Sequence, residues 1–264
     1  MAKNKIYVAG ASITNGPLLG WADFLEFEAV DCKLINLGIK GQGNEAIVTS
    51  IINQQPESGS LVICMLTAVD KFDWYVEGDK FHQLKKEKHP AVPVGTDSGF
   101  WSTGSHWPLD KEIYYNKFYS QDYYVSRSIQ LIISLQAHAR QFGYNLIIVF
   151  DSPIWSYTEK QLIDYLTAGK VLHYNDLLSG PLARVWAPML LDQYQNITET
   201  SLIGYCIKNN LLWGHAQAKN HPPSSSHYAW YQEHLTPKVM QYIEIDPQDW
   251  TNKIKKQDEL WQES

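Results

Sequence analysis

The chain has 264 residues, 44% of them hydrophobic and 19% charged, with a formal net charge of −6. That length favours one large domain, and that balance excludes both a disordered chain and the basic stripe of a general nucleic-acid surface. The aromatic load is heavy, with 10 Trp, 16 Tyr and 8 Phe.

The first element is the run Lys5-Ile6-Tyr7-Val8-Ala9, which ends at Gly10 and is followed by Ser12 and a polar turn to Gly16. A short β-branched and aromatic run closed by glycine predicts a buried strand. Leu18 to Val30 has apolar residues at helical spacing, and Lys33 to Leu37 reads as a second strand. A glycine-rich turn follows, with Gly38, Gly41 and Gly43, and then a helix over Glu45 to Asn53. Ser60 to Leu66 is a third strand. The alternation with short connections predicts a parallel sheet covered on both faces. A serine just past the carboxyl end of such a strand stands where open α/β sheets bind ligands, although it can equally cap the next helix.

Periodicity fails from Thr67 to about Asp122, where aromatics including Trp74, Trp101 and Trp107 crowd among glycines and prolines. A region this long without a repeat is expected to be functional, and flat aromatics there suit sugar rings or a partner surface, or pack as a small subdomain. Tyr123 to Phe142 predicts a long helix ended by Gly143, and Asn145 to Phe150 a fourth strand. A second irregular region with helical pieces covers about 154–208, followed by a polar loop, a helix over His227 to Ile243, and a charged tail. The expected organisation is one domain over 1–245, with insertions at about 67–122 and 154–208, and a tail or helix over 246–264.

Cys32, Cys64 and Cys206 are far apart and form no CxxC pair, so buried free thiols are expected rather than metal ligands or disulfides. The nine histidines show no ligand spacing with a carboxylate, so no metal is expected. The glycines at 38–43 do not match a dinucleotide-binding fingerprint in order, and no cofactor is expected. Neither a basic-then-apolar leader nor a bilayer-length apolar run is present, so the expectation is a cytoplasmic chain with neither membrane nor nucleic acid as partner. Assembly into a virion is the alternative destination if the chain is phage-encoded.

Chemistry is suggested by two distant segments. Ser12 needs an adjacent base to become a nucleophile, and His221, fixed by Pro222 ahead of a C-terminal helix, is well placed to be one. Four blocks appear in order: Gly10-Ala11-Ser12-Ile13-Thr14-Asn15-Gly16; Asn36-Leu37-Gly38-Ile39-Lys40-Gly41-Gln42-Gly43-Asn44; Leu66-Thr67 running to Asp73-Trp74; and His221 to Trp230. Together they resemble the SGNH (GDSL-like) hydrolase family, in the variant form common in phage genomes and polysaccharide-modification loci. The resemblance implies a three-layer α/β/α, flavodoxin-like fold with aromatic-rich insertions, and hydrolysis of esters, commonly acyl groups on carbohydrates. It implies Ser12 as nucleophile, His221 as base, and the backbone N–H groups of Ser12 and Gly41 in the oxyanion hole, with Thr67 as a substitute side-chain donor. Asn44, Trp74, Trp101 and Trp107 are then the expected substrate-binding residues. Ala11 stands where the family has Asp, Val69 where it has the Asn donor, and Ala218 and Lys219 where it has an acid to orient the histidine. Two functions stay open on this pattern. One is a serine esterase acting on an acylated carbohydrate or other small ester. The other is a structural or glycan-binding protein on the same scaffold, such as a virion component, with protein partners reached through its C-terminal tail.

Overall fold

A computed structural model describes residues 4–16, 19–67, 73–79, 82, 91–93, 98–102, 120–151, 181–182, 185–186, 189, 201–211 and 222–262. In chain order the strands are β1 (Asn4–Ala9), β2 (Cys32–Asn36), β3 (Leu61–Leu66), β4 (Asp73–Glu77), β5 (Ala91–Pro93), β6 (Ser98–Ser102) and β7 (Asn145–Phe150). The helices are α1 (Trp21–Glu28), α2 (Asn44–Gln54), α3 (Gln121–Phe142), α4 (Leu202–Lys208), α5 (Ser224–Trp230), α6 (Thr236–Val239) and α7 (Thr251–Gln262), with a π-helical stretch, Tyr231–Leu235, joining α5 to α6.

Four strands form a parallel sheet in the order β2-β1-β3-β7. Side chains alternate across a strand, so each strand feeds two cores. Tyr7, Ala9, Val62, Cys64, Leu66, Ile148 and Phe150 pack with α2 and α3 residues such as Ile47, Ile51, Ile129 and Leu135. Ile6, Val8, Ile63, Met65, Ile147 and Val149 pack with Trp21, Phe24 and Leu25 of α1 and with Trp230, Tyr231 and Leu235. All six residues of β3 are buried because both of its faces are covered. This is the parallel sheet covered on both faces that the β-α-β rhythm predicts, in the three-layer α/β/α architecture that the resemblance implies.

The stretch that has no period in the sequence holds a second, antiparallel sheet in the order β4-β6-β5. Its strands are three to five residues long, with Pro93 and Gly99 within them, too short and too interrupted to show alternation. The Asp73 carboxylate joins this sheet to the main body by accepting the N–H groups of Gly43 (2.8 Å) and Ala46 (2.7 Å) at the start of α2. Gly43 itself offers no side chain there, so the cap comes from another element.

The C-terminal segment docks on its own domain. Trp250 and Ile254 belong to the same apolar cluster as Trp21 and Phe24. Ala29 pairs with Ile245 in an antiparallel bridge, and the buried Glu28 carboxylate accepts from Trp250 Nε1 (2.8 Å) and the Gln248 N–H (3.3 Å). Among the described residues, no helix is long and apolar enough to cross a membrane.

Candidate functional site

The chain moves from β1 to β2 on one side and then to β3 on the other. The connections therefore diverge at the carboxyl ends of β1 and β3, opening the crevice where doubly wound sheets take ligands. Ser12 lies just beyond β1 and Thr67 just beyond β3. The turn after β1 closes through the Thr14 and Asn15 N–H groups to the Ala11 carbonyl, at 3.0 and 3.3 Å. It folds so tightly over Gly10 that a Cβ there would overlap Thr14 Oγ1. Ala11, Ile13 and Thr14 are 1%, 4% and 2% exposed, whereas Ser12 is half-buried. Ser12 is thus less enclosed than Ala11, Ile13 and Thr14, while Asn15 at the end of the turn is exposed.

The glycine-rich turn after β2 lies directly against this serine turn. The Ile39 N–H donates to the Gly10 carbonyl (3.1 Å), Asn15 Nδ2 to the Gly38 carbonyl (2.7 Å), and Asn36 Nδ2 to the Thr14 carbonyl (3.3 Å). A Cβ on Gly38 would press on Thr14 Cγ2 and Asn15 Cβ, both at 3.1 Å. The turn closes through the Gln42 N–H to the Ile39 carbonyl (3.3 Å), with Gly41 at φ +81°. A four-residue turn with positive φ at its third position takes glycine because a side chain there would be strained. Among the described residues, no acceptor takes the Gly41 N–H.

Asn44 and Thr67 are both interior, at 5% and 0% exposed. The Asn44 amide spans the Thr67 backbone and also donates to Ser128 Oγ (3.2 Å), so its polar atoms are occupied within the fold. Thr67 Oγ1 is enclosed, without a partner among the described residues. For these two residues the visible work is holding the crevice walls in register. Trp74 and Trp101 face each other directly across β4 and β6, which sets them on one face of the small sheet. His221 and Trp107 lie outside the described residues, as do Val69, Ala218 and Lys219.

His227, the other histidine of the last block, is 3% exposed, and its Nδ1 accepts the Trp21 N–H at 3.4 Å. It helps cap α1, where Gly20 supplies no side chain and its own N–H donates to Asp23 Oδ2 (2.7 Å). Burial raises the Asp23 carboxyl above its ordinary value, outweighing that hydrogen bond. Among the described residues, no three His, Cys, Asp or Glu side chains converge as a metal-ligand set. Two residues that sequence reasoning assigned no role, Asn15 and Asp73, hold the glycine-rich turn from its two sides. Asp73 falls inside the third block, but nothing local signals that its carboxylate reaches back to α2.

No family model and no curated protein matches the chain. Several solved structures are similar to it at low identity. The chain is similar to protein YxiM of Bacillus subtilis at 10% identity and a TM-score of 0.47, over 91% of this chain and 58% of that one. It is similar to the psychrotrophic esterase EstA of a Pseudoalteromonas species at 11% identity and a TM-score of 0.45, over 90% and 98% of the two chains. A GDSL-like lipase of Bacteroides thetaiotaomicron is similar at 15% identity and a TM-score of 0.42, over 91% and 88%.

Proposed function

We propose that the chain is a serine ester hydrolase and that its natural substrate is an acyl group on a carbohydrate. The observation that carries this reading is the placement of Ser12. It lies half-buried in the tight turn that follows β1 at the sheet's switch point, and the glycine-rich turn carrying Gly41 packs against that turn through the Ile39 N–H and the Gly10 carbonyl. In the proposed reaction, Ser12 Oγ attacks the ester carbonyl while its proton passes to His221, the base the sequence blocks imply. The carbonyl π electrons move to oxygen, and the N–H groups of Ser12 and Gly41 receive the oxyanion. Collapse expels the alcohol, which takes the proton from His221, and leaves an acyl-serine. Water, giving its proton to His221, then attacks the acyl carbon and releases the acid and free Ser12. Trp74 and Trp101, register partners across β4 and β6, support a sugar as the leaving alcohol because aromatic residues are suited to sugar rings.

The test is hydrolysis of p-nitrophenyl acetate and of an acetylated sugar by wild type and Ser12→Ala. The reading requires release of acetate by wild type and its loss in the variant; equal rates in the two proteins overturn it. The same tryptophan pair also favours a second reading, a glycan-binding protein without turnover. That reading requires carbohydrate binding that Ser12→Ala leaves unchanged and no acetate release by either protein.

A further inference from the structure

The glycine-rich turn after β2 is closed by one residue acting twice. The Gln42 N–H donates to the Ile39 carbonyl (3.3 Å), and the Ile39 N–H donates back to Gln42 Oε1 (3.2 Å). At 3.3 Å the backbone bond is longer than an ordinary N–H···O bond, so the side chain supplies a second hold. The same Ile39 N–H also reaches the Gly10 carbonyl (3.1 Å), two residues before Ser12, so the clamp sits where the two turns meet. Between the clamped ends lies Gly41 at φ +81°, while Lys40 has no positive φ, which makes this a type II turn. Types I and II differ in the central peptide, which is rotated by roughly half a revolution between them. Here that peptide joins Lys40 to Gly41 and carries the Gly41 N–H. Glycine admits both signs of φ, so residue 41 alone does not fix which way its N–H points.

Building on the reading of Ser12 as nucleophile and the Gly41 N–H as oxyanion donor, we propose that Gln42 is a positioning residue, whose side chain holds the turn so that the Gly41 N–H keeps one direction. A second observation sets Gln42 apart from an ordinary packing residue. Its side chain is fully buried, yet Nε2 has no hydrogen-bond partner among the described residues. An enclosed amide donor left unpaired is a cost that an apolar side chain of similar length does not carry. Nor does the Ile39 N–H depend on Oε1 for a partner, since the Gly10 carbonyl also accepts it. The acceptor end of Gln42 therefore contributes order in the turn more than stability in the fold. Beyond it the chain is tied down again, where Asp73 accepts the Gly43 N–H (2.8 Å). The slack that Gln42 removes is thus confined to residues 39–42. An oxyanion donor acts only when it is already aimed at the developing charge, so freedom in that peptide lowers turnover without weakening substrate binding.

The test is Gln42→Met, which keeps the length of the side chain and removes the amide. Hydrolysis of p-nitrophenyl acetate by wild type and variant is measured per active site, titrated with a fluorophosphonate, with melting temperature alongside. Gln42→Met should melt at or above wild type, and its kcat should fall about tenfold at an unchanged KM. A wild-type kcat overturns the proposal, as does a fall carried by KM or by loss of titratable sites. A variant that melts below wild type or does not fold also overturns it, because the work of the side chain is then structural. If wild type itself neither hydrolyses the ester nor is titrated, the hydrolase reading has failed separately, and amide hydrogen exchange decides the clamp. Faster exchange at positions 39 and 42 in Gln42→Met supports it; unchanged exchange there overturns it.

Discussion

Asn44 grips the backbone of Thr67 from both sides: its Nδ2 donates to the Thr67 carbonyl at 3.0 Å, and its Oδ1 accepts the Thr67 N–H at 2.8 Å. One side chain thereby does the work of a neighbouring strand. It continues the pairing of β3 one residue past its end and ties that end to the first residue of α2. Asn44→Ala would leave a buried N–H and a buried carbonyl without partners, at a cost of about 2–4 kcal/mol. Urea unfolding should show the midpoint falling with an unchanged slope, the mark of lost stability rather than altered compactness. Asn44→Asp keeps the acceptor and loses the donor, and should fall between.

Gly41 separates stability from catalysis. At φ +81°, Gly41→Ala introduces strain of about 1 kcal/mol or somewhat more. If the Gly41 N–H meets the oxyanion, ester turnover should fall further, by about tenfold to a hundredfold. Turnover that drops only as far as the folded fraction would remove Gly41 from the site.

The three thiols should react very differently. Cys64 and Cys206 are fully buried. Burial pushes the Cys64 thiol far above its ordinary range and the Cys206 thiol up to about 12. Cys32 lies partly exposed on the edge strand β2. Thiolate is the reactive form, so Ellman's reagent at pH 8 should titrate one thiol in the native protein and three after unfolding. Three fast equivalents in the native state would contradict the packing of β3 and α4.

Asp23 gives a pH dependence of definite sign. Its folded value lies above the ordinary 3.8 because burial penalises the carboxylate. A group raised on folding binds protons more tightly in the native state. Its contribution is therefore full below 3.8 and is lost as pH rises through the folded value. Asp23→Asn keeps an acceptor for the Gly20 N–H without the buried charge. The variant should melt above wild type at pH 7, and the gap should close as pH falls toward 3.8. A gap that widens on acidification would reverse the sign.

Elements built from local periodicity were legible in the sequence. The Asn145–Phe150 strand stands out as a β-forming run between Gly143 and Asp151, and the α3 helix as a long apolar stripe that begins two residues earlier than its period suggests, at Gln121. There Ser120 Oγ accepts the Tyr123 N–H as a cap. The contacts that shape the site were not legible, because they join distant positions through single side chains. Asn44 meets Thr67 across 23 residues, and Asp73 meets Ala46 across 27. No spacing rule encodes such pairs. The tail shows the same limit: Trp250 and Ile254 read as one face of a helix, but the buried Glu28 that receives the Trp250 indole gives no local signal. The turn around Ser12 was legible because glycine, serine and the following polar residues are adjacent in the chain.

The central claim is that Ser12 is the attacking residue, and the most direct measurement is covalent trapping. The protein is treated with a fluorophosphonate, digested and mapped by mass spectrometry. The account predicts one adduct, on the peptide containing Gly10-Ala11-Ser12-Ile13, that disappears in Ser12→Ala. An adduct on any other residue, or one that persists in Ser12→Ala, would contradict it.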